Sequence, residues 1–459
     1  MADLSPPDGL LDALSEKFGE LVSSGESIRN LHSHDEGGHM AAMPYAVLFP
    51  KSSSDVSQMV AMCSEYDVPV IPFGVGSGQE GGVNAVRGGV SIDTSGLNKI
   101  IKINQEDMDC EVEAGVTRLQ LADALRDTGL MFPVDPGADA SFGGMAATRA
   151  AGTTTPRYGG MRENVMGLEV VLANGETIQT GSRARKSSSG YDLTHLFVGS
   201  EGTLGLITKI RLKLHPAPEA ILAMSAVFDN FQDAVATVVD ITRYGLPIAR
   251  VEMMDALQIQ AVNLYLDLDM PEKPSLFFEF HGAEESLTSI AEIAQAVCHE
   301  NSVIDVIHAS RTEEQTKIWK ARHSAAHAEA MLRPGARAIV TDVGVPVTAL
   351  PDILMAAQAK IEELKLIAPM TGHMADGNFH FAVLVDDDNQ DELDRADTFK
   401  EWLAEYALSL DGTVSGEHGI GMGKTSLMQR EHGPALDVMR AIKVALDPKN
   451  IFNPGKVLP

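Results

Sequence analysis

Apolar and polar residues alternate along the first half of the chain with the spacings of short strands and amphipathic helices. Residues 53–66 predict a helix, because four apolar residues fall on one face of it: Val56, Met59, Val60 and Cys63. Residues 46–50 and 68–72 are short apolar runs, which predict buried strands on both sides of this helix. The same reasoning predicts further helices at 1–35 and 116–128, and further strands at 89–93, 109–113, 165–172, 176–180 and 204–214, with a hairpin turn at Asn174-Gly175 between the strands at 165–172 and 176–180.

The pattern changes beyond Pro216-Ala-Pro218. Strands then alternate with longer amphipathic helices up to about residue 415, as in the strand at 222–228, the helix at 231–243 and the strand at 275–281. The last segment is again rich in glycine. We therefore predict an α+β protein with domains at 1–218 and 219–415, and a C-terminal segment, 416–459, that returns to the first domain.

The composition is that of a folded and strongly acidic protein. The chain has 459 residues, 44% of them hydrophobic, and a net charge of -28, which disfavours nucleic acid and anionic lipid as partners. This charge indicates plain solubility, with a basic protein partner as the alternative. No apolar run is long enough to span a membrane, and the first 20 residues lack the features of a signal peptide.

Cysteine usage bears on the compartment. The three cysteines form no CxxC pair, which suits a reducing environment. We expect a cytoplasmic protein of bacterial type, or a protein of the mitochondrial matrix or intermembrane space whose presequence has been removed. For the oligomeric state we expect a homodimer.

Three glycine-rich loops stand out in the first domain, at residues 74–82, 136–160 and 199–205. Glycine lets the main chain approach a ligand closely and offer its N–H groups to phosphate. Each cluster alone is also typical of an ordinary turn. The first departs from the dinucleotide pattern GxGxxG, because Gln79 replaces the last glycine and no long helix follows. Three loops in one domain nevertheless favour one long ligand lying across it.

The motifs PFGVGSGQEGG, DPGADASFGGMAATRAAGTTTPRYG, GYDLTHLFVGSEGTLG, HMADGNFH, GEHGIGMGK and DPKNIFNPGK carry a specific resemblance. Together they resemble the vanillyl-alcohol oxidase superfamily, in the branch of the FAD-linked D-lactate dehydrogenases (cytochrome), the glycolate oxidase FAD subunit and D-2-hydroxyglutarate dehydrogenase. The resemblance runs from about residue 45 to the C-terminus. It implies a PCMH-type FAD-binding domain and an α+β substrate, or cap, domain with an antiparallel sheet.

The resemblance also implies which residues bind the cofactor. The set is Pro72, Gly74, Val75, Gly76, Ser77, Gly78, Gln79, Pro136, Gly137, Ser141, Gly143, Gly144, Ala147, Gly152, Thr153, Tyr158, Gly159, Glu201, Gly202, Gly205, Ile207 and Asn453. Some relatives attach the flavin covalently through a histidine in the first loop. The first loop of this chain contains no histidine, so we predict non-covalent FAD.

A cluster of histidines and acids lies towards the C-terminus. His373 and His380 flank a short turn, and Glu417-His418 follows about 40 residues later. Two histidines and a carboxylate suit Zn²⁺ or Mn²⁺ with a coordination position open for substrate, although structural or surface histidines remain the alternative. The resemblance implies that His373, His380 and Glu417 are metal ligands and His418 the catalytic base. Ala375 departs from the family pattern, which has glycine there.

The substrate carboxylate needs a cation. Arg322, on a predicted helix, matches the substrate-binding arginine of the family, and a guanidinium binds carboxylate at two points. From residue type alone, a surface arginine is the alternative. The predicted substrate-binding set is Trp319, Arg322, His373, Asn378, His380 and His418.

These observations predict an FAD-dependent dehydrogenase that oxidises a D-2-hydroxy acid. The first expectation is the oxidation of D-lactate to pyruvate. Glycolate and D-2-hydroxyglutarate are alternatives, the latter disfavoured because Val340 and Thr341 stand where a lysine would suit a second carboxylate. A cytochrome, a quinone or a flavoprotein would accept the electrons. A metal-dependent hydrolase and an inactive electron-transfer subunit are alternatives of other classes.

Overall fold

A computed structural model describes residues 5–309 and 311–459. Its strands are β1 Val22–Ser23, β2 Ala46–Leu48, β3 Val70–Phe73, β4 Val90–Asp93, β5 Ile100–Asn104, β6 Asp109–Glu113, β7 Leu130–Met131, β8 Val165–Val171, β9 Thr177–Gly181, β10 Leu206–Lys213, β11 His215–Pro216, β12 Ala220–Val227, β13 Ile248–Met254, β14 Ser275–Gly282, β15 Asp305–Ala309, β16 Arg337–Val340, β17 Val343–Gly344, β18 Met370–His373 and β19 Asn378–Val385.

The helices of the same residues are α1 Leu10–Phe18, α2 Glu26–Leu31, α3 Ser53–Glu65, α4 Arg118–Leu125, α5 Phe142–Thr148, α6 Thr155–Tyr158, α7 Met161–Asn164, α8 Leu193–Phe197, α9 Phe231–Arg243, α10 Ala256–Leu266, α11 Glu284–Glu300, α12 Thr312–His323, α13 Ala325–Ala328, α14 Leu350–Leu364, α15 Gln390–Ser409, α16 Met428–His432 and α17 Ala435–Leu446. None of them combines the length and apolar character needed to cross a bilayer. The predicted α+β class is confirmed.

Contacts divide the chain into two compact units, and the first contains two main sheets and the two-stranded sheet β11-β7. It comprises residues up to Gly152, Gly159–Ala217 and Glu417–Pro459. One sheet has four strands in the order β1-β2-β4-β3, with β2, β4 and β3 parallel, and the other has five antiparallel strands in the order β5-β6-β10-β8-β9. In the C-terminal segment, Phe452 pairs with Val70 of β3.

The amphipathic helix predicted at 53–66 is confirmed as α3. Its four predicted apolar residues are buried in the core of the four-stranded sheet. Ser52 caps the helix, because its side chain accepts a hydrogen bond from the Asp55 N–H, an interaction worth about 1 kcal/mol. The predicted turn at Asn174-Gly175 joins β8 and β9, and Gly175 takes a positive φ there.

The prediction of one helical stretch over residues 1–35 is wrong in part, and its first four residues lie outside the described ranges. The segment contains two short helices, α1 and α2, and between them β1 pairs with β2. Gly19 ends α1 with a φ of 55°. A glycine reaches this φ without the steric cost that a side chain brings, so the chain turns out of the helix there.

The second unit is built on one antiparallel sheet. It comprises Thr153–Tyr158 and Pro218–Gly416. The sheet has the strand order β15-β12-β14-β13-β18-β19-β16, and β17 also pairs with β19. Helices α9, α11, α14 and α15 contribute to one large apolar core with one face of the sheet, and α10, α12 and α13 contribute to a separate apolar cluster. Residues 153–158, which we predicted in the first domain, group with this second unit.

Candidate active site

A tight hairpin holds the two predicted metal-binding histidines. Strands β18 and β19 are antiparallel, with His373 opposite Asn378 and Thr371 opposite His380. The His373 and His380 rings meet edge to face with centroids 5.6 Å apart. At the turn, Gly377 has a φ of 72°, and a Cβ there would lie 1.8 Å from the Val345 carbonyl oxygen. The turn therefore needs glycine at this position.

A buried carboxylate that the sequence did not reveal supports His373. Glu252 is fully buried on β13, directly opposite His373 of β18. Its Oε1 lies 2.6 Å from His373 Nδ1. Burial opposes ionisation of Glu252, but the charges of His373 and Arg322 outweigh burial and keep the pKa of Glu252 below its usual range. Because Nδ1 is engaged by this carboxylate, metal ligation by His373 would use Nε2, the usual pattern for carboxylate-supported ligands.

Arg322 is tied to the same carboxylate. Its Nε and Nη2 lie 2.9 and 2.6 Å from Glu252 Oε2. Two of its three guanidinium nitrogens are thus committed within the protein. The structure therefore gives Arg322 a positioning contact beside the metal-ligand candidate, while its predicted contact with substrate stays a prediction.

His380 and Asn378 are held by a second buried acid. Asn378 Nδ2 donates to Asp342 Oδ1 and to the Val343 carbonyl oxygen, each at 2.8 Å. His380 Nδ1 lies 3.1 Å from the Thr341 carbonyl oxygen and 3.8 Å from Asp342 Oδ1. The Asp342 side chain is fully buried. These contacts fix the orientation of both predicted site residues.

Glu417 completes the predicted set. It follows Gly416, whose added Cβ would lie 2.0 Å from Asn378 Nδ2, so the chain passes close to the hairpin just before Glu417. One ligand atom each from His373, His380 and Glu417 lies within 4.8 Å of the other two. Two imidazoles and one carboxylate at this spacing fit a divalent cation such as Zn²⁺ or Mn²⁺.

The glycines after His418 let its loop lie against two acids of the first unit. Glu201 Oε1 accepts from the Ile420 N–H at 2.8 Å, and Glu201 Oε2 accepts from the Gly421 N–H at 2.7 Å. A Cβ on Gly421 would lie 2.0 Å from the Glu80 carbonyl oxygen. Lys424 Nζ lies 3.0 Å from Glu80 Oε1. We call Glu80 and Glu201 the loop clamp.

The loop clamp was missed in the sequence. We predicted Glu201 along the cofactor, and its carboxylate is engaged with the loop that follows His418. Glu80 was given no role. The only signal was the repeated spacing of Gly419, Gly421 and Gly423, which marks a main chain packed closely against a neighbour.

The glycine loops of the first unit converge, as the single-ligand hypothesis requires. A Cβ on Gly74 would lie 2.6 Å from Ser141 Oγ in the second loop. The Glu201 N–H of the third loop donates to the Ala147 carbonyl oxygen at 2.8 Å. Asn453 Nδ2 donates to the Glu201 carbonyl oxygen at 2.9 Å. Three loops and the C-terminal segment therefore meet in one region.

This region fits a large polar cofactor. Among the described residues, buried Ser141 Oγ and Ser200 Oγ have no hydrogen-bond partner. A Cβ added to Gly82 or Gly137 would meet nothing within 4 Å, so open space lies beside the main chain at both positions. Buried hydroxyls without partners and accessible main chain are what a bound FAD would use.

Other predicted cofactor residues serve packing as well. A Cβ on Gly143 would lie 2.8 Å from Ala114 Cβ, and one on Gly152 would lie 2.0 Å from the Asp135 carbonyl oxygen. Tyr158 groups with the second unit, where its hydroxyl lies 2.8 Å from His281 Nδ1. Its predicted contact with the cofactor stays a prediction.

Comparison with protein families defines the class. Residues 44–181 match the model "FAD binding domain", and residues 217–457 match "FAD linked oxidases, C-terminal domain". The chain therefore belongs to the FAD-linked oxidase family, and FAD is its cofactor.

Several individual relatives are similar to this chain over nearly its whole length. The chain is 46% identical to a probable mitochondrial D-lactate dehydrogenase of Danio rerio, over 96% of this chain and 89% of that one. It is 38% identical to the mitochondrial D-lactate dehydrogenase (cytochrome) of Arabidopsis thaliana, over 99% and 80% of the two chains. The glycolate oxidase subunit GlcD of Bacillus subtilis is 34% identical, over 94% and 92%.

A solved structure supports the fold alone. p-Cresol methylhydroxylase with bound substrate superposes with a TM-score of 0.81 at 20% identity, over 98% of this chain and 96% of that one.

Proposed function

We propose that this chain oxidises D-2-hydroxy acids and that its main reaction is the oxidation of D-lactate to pyruvate. We also propose that His373, His380 and Glu417 hold a divalent cation at the active site. The observation that carries the proposal is the convergence of these three side chains on a hairpin that buried Glu252 and Asp342 hold in place. The D-lactate dehydrogenases at 46% and 38% identity support the choice of substrate. The match to FAD-linked oxidases argues against the hydrolase alternative.

The cofactor, the cation and the site residues each have a separate role in the proposed reaction. When bound, FAD supplies a ring that accepts a hydride, and the cation supplies a Lewis acid for the substrate hydroxyl. His418 takes the hydroxyl proton, because a neutral imidazole can act as a general base. Arg322 faces the substrate carboxylate while it holds Glu252, and Glu252 keeps His373 oriented. The loop clamp holds the segment that carries His418.

We propose further that FAD is bound without a covalent link. We also propose that a cytochrome accepts the electrons, because the Arabidopsis thaliana relative is a D-lactate dehydrogenase (cytochrome). A quinone or a flavoprotein is the alternative acceptor. The names of the mitochondrial relatives favour that organelle, a bacterial cytoplasm being the alternative. Denaturation should release all of the flavin into the filtrate, and flavin retained on the protein would contradict non-covalent binding.

Anaerobic mixing with substrate tests the function. The purified holoenzyme should show a flavin spectrum that bleaches on addition of D-lactate and stays unchanged with L-lactate. D-2-Hydroxybutyrate and glycolate extend the panel. A flavin that D-lactate and the other 2-hydroxy acids leave oxidised would refute the proposal and would favour an electron-transfer subunit.

A further inference from the structure

A short segment that precedes the matched FAD-binding domain contacts the first glycine loop. The match begins at residue 44, so residues 32–42 lie outside it. The Ala42 N–H donates to the Ser33 carbonyl oxygen at 2.8 Å, and the two ends of the segment therefore meet. We call residues 32–42 the N-terminal strap.

His32 fixes the strap at the strand ends from which the first glycine loop begins. Its Nε2 lies 2.9 Å from Asp93 Oδ2, and its Nδ1 lies 2.8 Å from the Ile28 carbonyl oxygen. The His32 ring also packs against the Phe73 ring, with centroids 4.2 Å apart. Phe73 ends β3 directly before Gly74, and it pairs with Asp93 at the end of β4. The strap is therefore held beside the point where the chain leaves the sheet and enters the loop.

Asp35 joins the strap to the loop through a buried carboxylate. The residue is 5% exposed. Its Oδ1 accepts from the Gly37 N–H at 3.2 Å, and its Oδ2 accepts from the Gly82 N–H at 3.0 Å. A Cβ added to Gly78 would lie 3.0 Å from Asp35 Oδ2. One carboxylate thus binds the main chain of the strap and the main chain of the first glycine loop.

Two successive carbonyl oxygens of the loop face the strap. The Gly78 carbonyl oxygen accepts from the Glu36 N–H at 3.0 Å. A Cβ added to Gly37 would lie 1.8 Å from the Gln79 carbonyl oxygen, so the strap packs against that peptide as well. The C=O and N–H of a trans peptide point in opposite directions, so the N–H groups of Gln79 and Glu80 point away from the strap. Successive N–H groups on one side of a loop suit a phosphate.

We propose that the N-terminal strap is part of the FAD site and that Asp35 is its positioning residue. Asp35 acts on the cofactor only through the main chain of the loop. Because the strap holds the carbonyl oxygens, the loop keeps its N–H groups available to the FAD pyrophosphate before FAD binds, and binding requires less ordering of the chain. The inference requires FAD as the cofactor and does not depend on the substrate.

The rate of FAD release from the diluted holoenzyme tests the inference. Samples are filtered at intervals, and the flavin in the filtrate is measured by absorbance. Asp35→Ala should release FAD about 10- to 100-fold faster than wild type, because the loop loses a charged hydrogen-bond acceptor. Asp35→Asn keeps one acceptor oxygen and should release FAD more slowly than Asp35→Ala. Gly37→Ala should release FAD faster than wild type, because its Cβ would displace the strap from the Gln79 carbonyl oxygen.

Two control variants separate positioning of the loop from a general loss of stability. Asp255, in the second unit, is also 5% exposed, and its Oδ1 accepts from the Gln258 and Met370 N–H groups. Asp255→Ala therefore removes a comparable buried carboxylate. Gly25→Ala lies before the strap, and its Cβ would meet only Ser23 Oγ, at 3.7 Å. Both controls should release FAD at the wild-type rate.

All variants are compared at a temperature at which circular dichroism shows them to be folded. If Asp35→Ala does not fold, Asp35→Asn and Gly37→Ala provide the test. Release of FAD at the wild-type rate from the folded Asp35 variants and from Gly37→Ala would overturn the inference. Equal acceleration of release in Asp35→Ala and Asp255→Ala would overturn it as well, because the carboxylate would then serve stability alone.

Discussion

The glycine loops of the first unit and the ionic cluster of the second unit build function in opposite ways. At Gly74, Gly143 and Gly421 the close packing depends on the absence of a side chain, because an added Cβ would meet a neighbouring atom within 3 Å. Around Glu252 and Asp342 the site depends on side chains instead, because each buried carboxylate is hydrogen-bonded to a site residue. Adding atoms should therefore damage the first region, and removing atoms should damage the second.

The largest effect is expected at His418. His418→Ala should slow flavin reduction by D-lactate about 10²–10⁴-fold, because the hydroxyl proton loses its acceptor. The measurement is anaerobic stopped-flow absorbance, with FAD content determined in the same sample. His432→Ala, in the same C-terminal segment, is the control and should reduce at the wild-type rate. Loss of FAD from His418→Ala would mean that the residue serves structure instead.

Glu252 tests the dependence of the second region on a buried partner. Glu252→Ala should lower the free energy of unfolding by about 3–5 kcal/mol, because Arg322 and His373 lose the carboxylate between them. It should also lower the metal content. Glu252→Gln keeps the volume and should cost less. Urea unfolding and metal analysis measure both effects, and a Glu252→Ala protein with wild-type stability and metal content would contradict the proposed support.

Gly421 tests the first region. Gly421→Ala should lower the free energy of unfolding by about 1–3 kcal/mol more than Gly433→Ala does. Both glycines have φ near 50°, so both substitutions strain the backbone, but a Cβ on Gly433 would meet nothing within 4 Å. The loss of unfolding free energy in Gly433→Ala therefore measures backbone strain alone, and the additional loss in Gly421→Ala measures the contact of the new Cβ with Glu80. Equal losses in the two variants would show that close approach to Glu80 is unimportant.

The smallest effect concerns a buried acid that caps α10. Burial raises the pKa of Asp255 to about 6, against the hydrogen bonds from backbone N–H groups that lower it. A carboxyl whose pKa rises on folding keeps its proton longer in the folded state, so its contribution to stability falls as pH rises from about 4 to 6. Asp255→Asn removes this dependence and should gain stability relative to wild type across that window. Asp391→Asn, exposed in α15, is the control.

The sequence predicts elements that depend on neighbouring residues, and it does not reveal contacts between residues that lie far apart along the chain. The helix at 53–66 and the turn at Asn174-Gly175 follow from spacing within a few residues, and the structure confirms both. The histidines and Glu417 stand out by residue type and by resemblance to a known family. Glu252 gave no signal, because its partner His373 lies 121 positions away and appears beside it only when β13 pairs with β18.

The loop clamp shows the same limit. Glu201 and Gly421 are 220 positions apart, and nothing near Glu201 in the sequence indicates that its carboxylate holds another loop. A resemblance could place Glu201 near the cofactor as a member of a motif. It could not say which atoms of Glu201 are already engaged.

The most direct test of the account is the dependence of flavin reduction on a divalent cation. Protein stripped by a chelator should keep its FAD spectrum and lose bleaching by D-lactate, and Zn²⁺ or Mn²⁺ should restore the rate in wild type but not in His380→Ala. Full-rate bleaching of protein shown to be free of metal would contradict the role given to His373, His380 and Glu417.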